Sequence, residues 1–542
     1  MGAPSETRIP PLHALRVLVR AGVLNPWKPG RLLRLKRDAD RWGPMPAAIR
    51  AAVADDPDRV GLVDDLGEMT YRELDTRTDA IAAAWSARGI GPEAVIGLMG
   101  RNNRAAVETV LAAAKLGATL VMLNSGFGGP QLREVVAREG VTVLVHDAEF
   151  AGLVPGLHGL ALYEGYRAGD GATTATSLDE LVAEGRGASP PEPARPGTII
   201  LLTAGTTGLP KGAPRRVRST DGVVQLLDRI PLRVRESTYV AVPLFHAIGL
   251  FHMMTAFSFG SRVVLSNRFD ARHALELVER HGCTAVVAVP TMLKRILDLG
   301  EEEIRRHDLS ALRIFFCGGS LLSERLSARA AEVLGDVVYN MYGSTEVSVC
   351  TVATPEDLRI SPGSAGKPPV GVVVRLLDAE DRVISAPGTT GAIHVATRLS
   401  FSGYTDGGNK RVVDGMMSTG DVGHFDAHGN LFVDGREDDM IVSGGENVYP
   451  REVEDLLLTR DDVAEVCVCG VPDEEYGQRL AAHVVPRPGA SPAAEEIRAF
   501  VKANLARHKV PRDVVFHPRL PRNAMGKVLR SELMSDPEVR KG

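Results

Sequence analysis

An apolar stretch at residues 199–202 leads into Thr203-Ala204-Gly205-Thr206-Thr207-Gly208-Leu209-Pro210-Lys211-Gly212. Glycines let the backbone bend so that successive N–H groups converge on one anion, hydroxyls add donors, and Lys211 supplies a full charge. That combination describes a phosphate cradle. It differs from the Walker A loop, which has Gly directly before Lys and Ser or Thr directly after it. Here Pro210 precedes Lys211 and Gly212 follows.

Two further clusters come just after strand-like runs, where a doubly wound sheet collects its ligands. Cys317-Gly318-Gly319-Ser320 would let a flat ring approach the backbone, and Tyr339-Asn340-Met341-Tyr342-Gly343-Ser344-Thr345-Glu346 ends on a carboxylate beside hydroxyls. Glu346 suits Mg²⁺ on a polyphosphate, since that ion takes one or two carboxylates and keeps its waters. Asp421, in Ser418-Thr419-Gly420-Asp421, can chelate the vicinal hydroxyls of a ribose, and Arg436, in Asp434-Gly435-Arg436, can meet a phosphate. The four clusters together describe a ribonucleotide site.

The elements that must position these residues alternate along the chain. Residues 94–99, 118–123, 141–146, 198–202, 284–289 and 313–317 read as strands; amphipathic stretches at 71–88, 103–116, 271–280 and 323–334 read as helices between them. Continuous apolar strands in β-α alternation predict parallel sheets covered on both faces. From about residue 360 the pattern turns antiparallel, with strands at 370–377, 391–397 and 431–433 joined by Asp, Gly and Pro turns. Segments 451–458, 463–470, 481–486 and 495–505 then predict a short α+β unit, with a linker near 435–439. The segment 237–261 carries no charged residue, but Pro243, His246, Gly249, His252 and Gly260 interrupt it, so it reads as strand, loop and buried helix rather than a membrane span.

Composition narrows the function classes. Of 542 residues 44% are hydrophobic, 24% charged and 5% aromatic, which excludes fibrous and disordered chains, and a net charge of -5 gives no cationic field for nucleic acid. Five cysteines predict no disulfide framework and fit a reducing cytoplasm. Cys467 and Cys469 lie in an alternating apolar run without the second pair a zinc site needs, so they read as core strand. No signal-peptide pattern opens the chain, so a cytoplasmic location is expected. Residues Thr7 to Arg37 contain no acid and include Arg8, Arg16, Arg20, Lys28, Arg31, Arg34, Lys36 and Arg37, with Leu12, Leu15, Val19 and Val23 near helical spacing. A docked or solvated arm is the expected reading, because Pro10, Pro11, Pro26 and Pro29 keep the helix short; a peripheral contact with an anionic inner membrane face is the alternative.

On these motifs, in this order, the sequence resembles the adenylate-forming superfamily of acyl-CoA synthetases, aryl-CoA ligases, luciferases and peptide-synthetase adenylation domains. The resemblance also rests on Gly435 to Asp438, on Ser443-Gly444-Gly445-Glu446-Asn447-Val448-Tyr449-Pro450, and on Pro521-Arg522-Asn523-Ala524-Met525-Gly526-Lys527. It covers residues from about 50 to 535. It implies an α/β fold: a large N-terminal domain of two α/β halves plus a β-barrel-like subdomain, and a small mobile α+β C-terminal domain. The expected division is an arm at 1–45, a large domain at 46–436 and a lid at 437–542.

The resemblance also implies a reaction: a carboxylate takes AMP from ATP with loss of pyrophosphate, and a thiol, CoA, then displaces AMP. By resemblance Thr203, Ala204, Gly205, Thr206, Thr207, Gly208 and Lys211 hold the β- and γ-phosphates, and Glu346 helps bind Mg²⁺. Tyr342 with Gly318, Gly319 and Ser320 flanks the adenine, Asn340, Gly343, Ser344 and Thr345 also belong to the ATP site, Asp421 holds the ribose with help from Arg436, and Lys527 bridges carboxylate and nucleotide. His246, Gly318 and Val347 are expected in the acyl pocket, Asp438 at the hinge, and Gly444 and Gly445 on the CoA tunnel. Thr203, Lys211, Glu346 and Lys527 are the expected catalytic residues.

One departure stands out: Ala204 occupies a position that usually carries Ser, so one hydroxyl donor is missing from the cradle. The segment after Pro243 offers no acid to hold a substrate ammonium, which disfavours amino acids, and the apolar segments 246–257 and 347–352 point to a fatty or other hydrophobic acid. The stretch Asn124-Ser125-Gly126-Phe127-Gly128-Gly129-Pro130 looks like the matching part of bacterial fatty-acid-CoA ligases. About 15 residues follow Lys527, so no fused carrier domain is expected and free CoA is the leading acceptor. The alternatives are a ligase that loads a separate acyl-carrier protein and a catalytically weak nucleotide-binding homologue. Monomer and homodimer both stay open.

Overall fold

The computed structural model describes residues 5–24, 29–169, 175–203, 210–215, 221–437, 439–443, 446–473, 477–523 and 526–535. The chain opens on helix α1 (Pro11–Arg20), followed by a second helix, Pro29–Trp42, started by a proline at its first position. Only the first of these helices was legible in the sequence. Val17 of α1 and its C-cap Ala21 are buried with Val224, Leu227 and Phe259, while His13 Nε2 lies 2.7 Å from Asp228 Oδ1. The arm is therefore docked.

Seven strands form one half of the body, in the order Thr176–Ser177, Ala161–Glu164, Val143–His146, Val95–Met99, Thr119–Met122, β1 (Thr198–Thr203) and β2 (Lys211–Arg215). All neighbours are parallel except β1 and β2, which form an antiparallel edge hairpin. Helices α2 (Asp221–Arg229) and α3 (Ala247–Ser258) follow. The second half is an eight-stranded sheet whose last strands are β3 (Ile314–Gly318), β4 (Val338–Ser344) and β5 (Ser348–Ala353). It too is parallel inside and closes with an antiparallel pair, β4 with β5. Strands Val143–His146, Ala285–Ala288 and β3 are buried at every position, as expected of strands covered on both faces.

Local signals explain the helices. Tyr71–Ala87 starts in a capping box between Thr70 and Glu73. Arg104–Leu116 starts at Asn103, whose side chain accepts from the Ala106 amide, and stops at Gly117 with φ of 69°. Beside that cap, Asn102 joins the two halves: its amide donates to the Val240 and Val242 carbonyls, at 3.2 and 2.9 Å, and accepts from the Leu244 amide at 2.9 Å.

The antiparallel third sheet carries β6 (Met416–Phe425) and β7 (Leu431–Arg436) and is an open half-barrel. Strand β7 runs on through Gly435 and Arg436, into the stretch read from sequence as linker, because Asp421 and Val422 pair with Arg436 and Gly435. Beyond it a five-stranded sheet, with long strands Val463–Asp473 and Gly477–Pro486, packs on helices Pro450–Leu458 and Ala494–Asn504. All five cysteines are buried and free; Cys467 and Cys469 lie in this core. No helix among the described residues is long and apolar enough to cross a membrane.

Candidate active site

Both sheets end in an antiparallel hairpin at one edge, and the two hairpins face one cavity of about 2160 Å³. Thr203 and Lys211, paired across β1 and β2, line it from one side; Asn340, Tyr342, Gly343, Ser344, Thr345 and Glu346, from β4 and its turn, line it from the other. Gly319, Ser320, His246, Asp421, Arg436 and Lys527 complete the wall. Ala204, Gly205, Thr206, Thr207, Gly208, Asp438, Gly444 and Gly445 lie outside the described residues.

The Asp421–Arg436 pair is built by register. Asp421 of β6 stands opposite Arg436 of β7, with Nη1 4.0 Å from Oδ1, and Tyr342 donates to Asp421 Oδ2 at 2.6 Å. Burial pushes the Asp421 carboxyl above its ordinary value, opposed by the Tyr342 hydroxyl and by the charges of Arg436, Lys410 and Lys527. The same burial, with Asp421 beside it, raises Tyr342 well above the ordinary phenol and keeps it a donor. Gly420, with φ of 80°, brings the backbone under Arg436 and Lys410.

The end of the cavity that holds Lys211 and Glu346 is organised by Tyr404, which the sequence reading missed. Its hydroxyl donates to Glu346 Oε1 at 2.7 Å, and its ring lies 5.3 Å from Lys211 Nζ. Burial first, and the bond to Glu346 second, raise its pKa far above the ordinary phenol. Lys211 Nζ also lies 3.3 Å from Asp406 Oδ2. Glu346 is buried, and no cluster of three or more His, Cys, Asp or Glu side chains arranged for a metal exists among the described residues. A single buried carboxylate beside a phosphate cradle fits Mg²⁺, which draws its other ligands from phosphate and water. Tyr404, Asp406 and Lys410 sit in an irregular segment with no periodic or motif signal to mark them.

Two residues expected in the acyl pocket, Val347 and Gly318, do not line the cavity. Val347 is fully buried with Ala213, Cys350 and Phe401 in the half-barrel core; its neighbours Ser348 and Val349 line the cavity instead. The positive φ of Ser348, 65°, turns the chain at this point. Gly318 lies behind the wall, where a Cβ would meet the Met341 carbonyl at 3.2 Å and Ile248 at 3.3 Å. Its missing side chain lets β3 and α3 close up, which presents Gly319 and Ser320 to the cavity. His246 precedes α3 and lines the cavity; burial lowers its pKa to about 4, so the ring is neutral, and its buried Nε2 has no partner among the described residues.

Lys527 arrives from the C-terminal unit. Asn523 Oδ1 accepts from its amide at 2.9 Å, and Gly526, with φ of 72°, packs so close to Thr291 that a Cβ would lie 2.5 Å from its hydroxyl. Arg530, just beyond, donates to Glu454 at 2.8 Å and lies 3.8 Å from Asp439. The loop bearing Lys527 is thus seated on the large domain while its base is tied beside the inter-domain crossing.

A nucleotide-binding cleft between a two-sheet α/β body and a small C-terminal unit defines the class of protein, and comparisons with known proteins agree. The AMP-binding enzyme model matches residues 49–405, and the AMP-binding enzyme C-terminal domain matches 452–527. A fatty acid–[acyl-carrier-protein] ligase, ScoC of Streptomyces coeruleorubidus, is 33% identical over 86% of this chain and 91% of its own. The indoleacetate–CoA ligase of Aromatoleum aromaticum is 32% identical over 86% and 92%. Among solved structures, the o-succinylbenzoate CoA synthetase of Bacillus subtilis with its acyl-adenylate superposes with a TM-score of 0.78 at 27% identity, covering 90% of this chain and 97% of that one. The chain belongs to the AMP-binding enzyme family, the adenylate-forming acid–thiol ligases.

Proposed function

We propose that this enzyme is an AMP-forming acyl-CoA synthetase acting on a hydrophobic, fatty or aryl-substituted acid. The observation that carries the reading is the convergence of Lys211, Glu346, Asp421 and Lys527 on one cavity whose far wall is Phe251, Met254 and Leu250. In the first step a carboxylate oxygen bonds to the α-phosphorus and the bond to the β-phosphate oxygen breaks, so pyrophosphate leaves with the electron pair. Negative charge moves toward the leaving group, where Lys211 and the cradle amides meet it, while Lys527 holds the carboxylate against the phosphorus. Bound Mg²⁺, held by Glu346, would neutralise phosphate charge. Asp421, Arg436 and Tyr342 fix the nucleoside so that the reacting atoms stay aligned.

In the second step the thiol sulfur of CoA bonds to the acyl carbon and the bond to the AMP oxygen breaks. A different lid position serves this step, because the nucleophile enters from another side. CoA as acceptor distinguishes this reading from a carrier-protein loader, the activity for which ScoC, similar in sequence to this chain, is named. AMP release that rises with CoA supports it; adenylate formation indifferent to CoA favours the loader.

The arm supports a location. Opposite its docked face, α1 exposes Leu12, Leu15 and Val19 together with Arg16 and Arg20, a mixed aliphatic and cationic stripe suited to an anionic bilayer, and Arg8 is exposed just ahead of the helix. Sedimentation with vesicles of 30% anionic lipid, lost in Leu12→Ser/Leu15→Ser, tests it; binding that is absent, or unchanged by that variant, contradicts it.

A further inference from the structure

Strand β2 delivers two cations into the cavity. Lys211 and Arg215 share one face of the strand four residues apart, about 13 Å along it at the usual rise. Lys211 has Asp406 beside it. Arg215 is half-buried, lines the same cavity, and makes no ion pair among the described residues; its Nη1 donates to the Leu399 carbonyl at 2.9 Å. Segment 203–220 contains no Asp or Glu that could serve it.

The surroundings place Arg215 at the acid end. Leu399 packs toward Gly222, and Gly222 toward the Phe251 ring, so the guanidinium sits where β2 meets α2 and α3. Met254, Thr255 and Ser258 continue that wall. A guanidinium has five N–H donors, and one backbone carbonyl satisfies one of them. Withdrawing such a group from water without a partner is costly, and the planar fork is shaped for a carboxylate. Burial accordingly lowers the Arg215 pKa, with Glu346 the one charge opposing it.

We propose that Arg215 forms a second anion subsite in the acyl pocket, so that the acid activated carries a second carboxylate remote from the reacting one. This rests on the ligase reading above and deepens it. The reacting carboxylate meets Lys527; the distal carboxylate docks on Arg215, with apolar chain or ring along Phe251 and Met254 between them. A purely aliphatic monoacid would leave the guanidinium unpaired.

The test measures AMP release, with Mg-ATP and CoA, for α,ω-dicarboxylic acids of six to twelve carbons against monocarboxylic acids of equal length, on the wild type, Arg215→Met and Arg215→Lys. The expected result is a kcat/KM at least tenfold higher for the best diacid than for its monoacid, a ratio falling to near one in Arg215→Met and partly kept in Arg215→Lys, with the KM for ATP within twofold throughout. Monoacids preferred by the wild type, or a variant that slows every acid alike and raises the KM for ATP, would overturn the subsite. Silence with every acid would overturn the ligase reading instead. Thermal-shift titration with the diacid and ATP then reads the subsite directly: stabilisation lost in Arg215→Met supports it, and stabilisation equal in both proteins refutes it.

Discussion

At the scale of single residues, Tyr404 and Ala204 make the sharpest demands. Tyr404 holds Glu346 by one hydroxyl at 2.7 Å and covers Lys211 with its ring. Tyr404→Phe leaves that carboxylate without its donor, and a charge-assisted bond of this kind contributes about 1.5–3 kcal/mol. The expected outcome is a KM for Mg-ATP raised roughly tenfold or more, the conversion of that energy, with the KM for the acid little changed; steady-state kinetics at varied Mg-ATP check it. Ala204→Ser restores a cradle donor worth about 0.5–1.5 kcal/mol, so kcat/KM for ATP should rise by up to about tenfold. Lys527→Ala should lower the adenylation rate by about 10²–10³, the usual loss when one transition-state contact is removed. Radiolabel exchange between pyrophosphate and ATP measures this step alone.

At the scale of elements, legibility in the sequence followed locality. The helices 71–88 and 103–116 were readable because their amphipathic pattern is local, and the structure adds caps at Thr70, Glu73 and Asn103 that act within three residues. Asp421, Tyr342 and Glu346 were readable as chemistry, since type and flanking glycines mark them. Tyr404, Arg215 and Asn102 were not, because their partners are 58, 184 and about 140 residues away and nothing local announces them. Val347 was misplaced because strand alternation decides which neighbour faces the cavity, and the turn at Ser348 sets that phase. Asn102→Ala removes three buried bonds between the halves; leaving such groups unpaired costs about 1–3 kcal/mol each. A melting temperature lowered by several degrees is expected, with a raised KM for the acid, because Leu244 lies two residues from His246. His252 of α3 and His246 at its N-terminal cap bring a pH dependence. His252 Nδ1 donates to the Ile248 carbonyl, so its buried Nε2 is bare, and burial depresses both His246 and His252 to about 4. The unfolded chain binds protons that the fold refuses between the ordinary imidazole value and about 4, so stability is lost as pH falls through that window. Calorimetry should show His252→Phe flattening the decline.

At the scale of the whole molecule, two largely parallel sheets each place a closing hairpin at one cavity, the half-barrel adds Asp421, and the C-terminal unit supplies Lys527. Gly526 is where the C-terminal unit touches the eight-stranded half of the body, at Thr291. A methyl there meets Thr291 and demands a left-handed backbone, so Gly526→Ala should displace the loop. Slower adenylation with unimpaired thioester formation from preformed acyl-adenylate is the expected pattern, read by quench-flow of each half-reaction. The account as a whole stands on one measurement: AMP release from Mg-ATP across hydrophobic mono- and dicarboxylic acids, with and without CoA. Release that needs both acid and CoA, one AMP per thioester, is the predicted result. ATP binding without turnover of any acid would contradict the account and mark the chain as a nucleotide-binding homologue that does not catalyse.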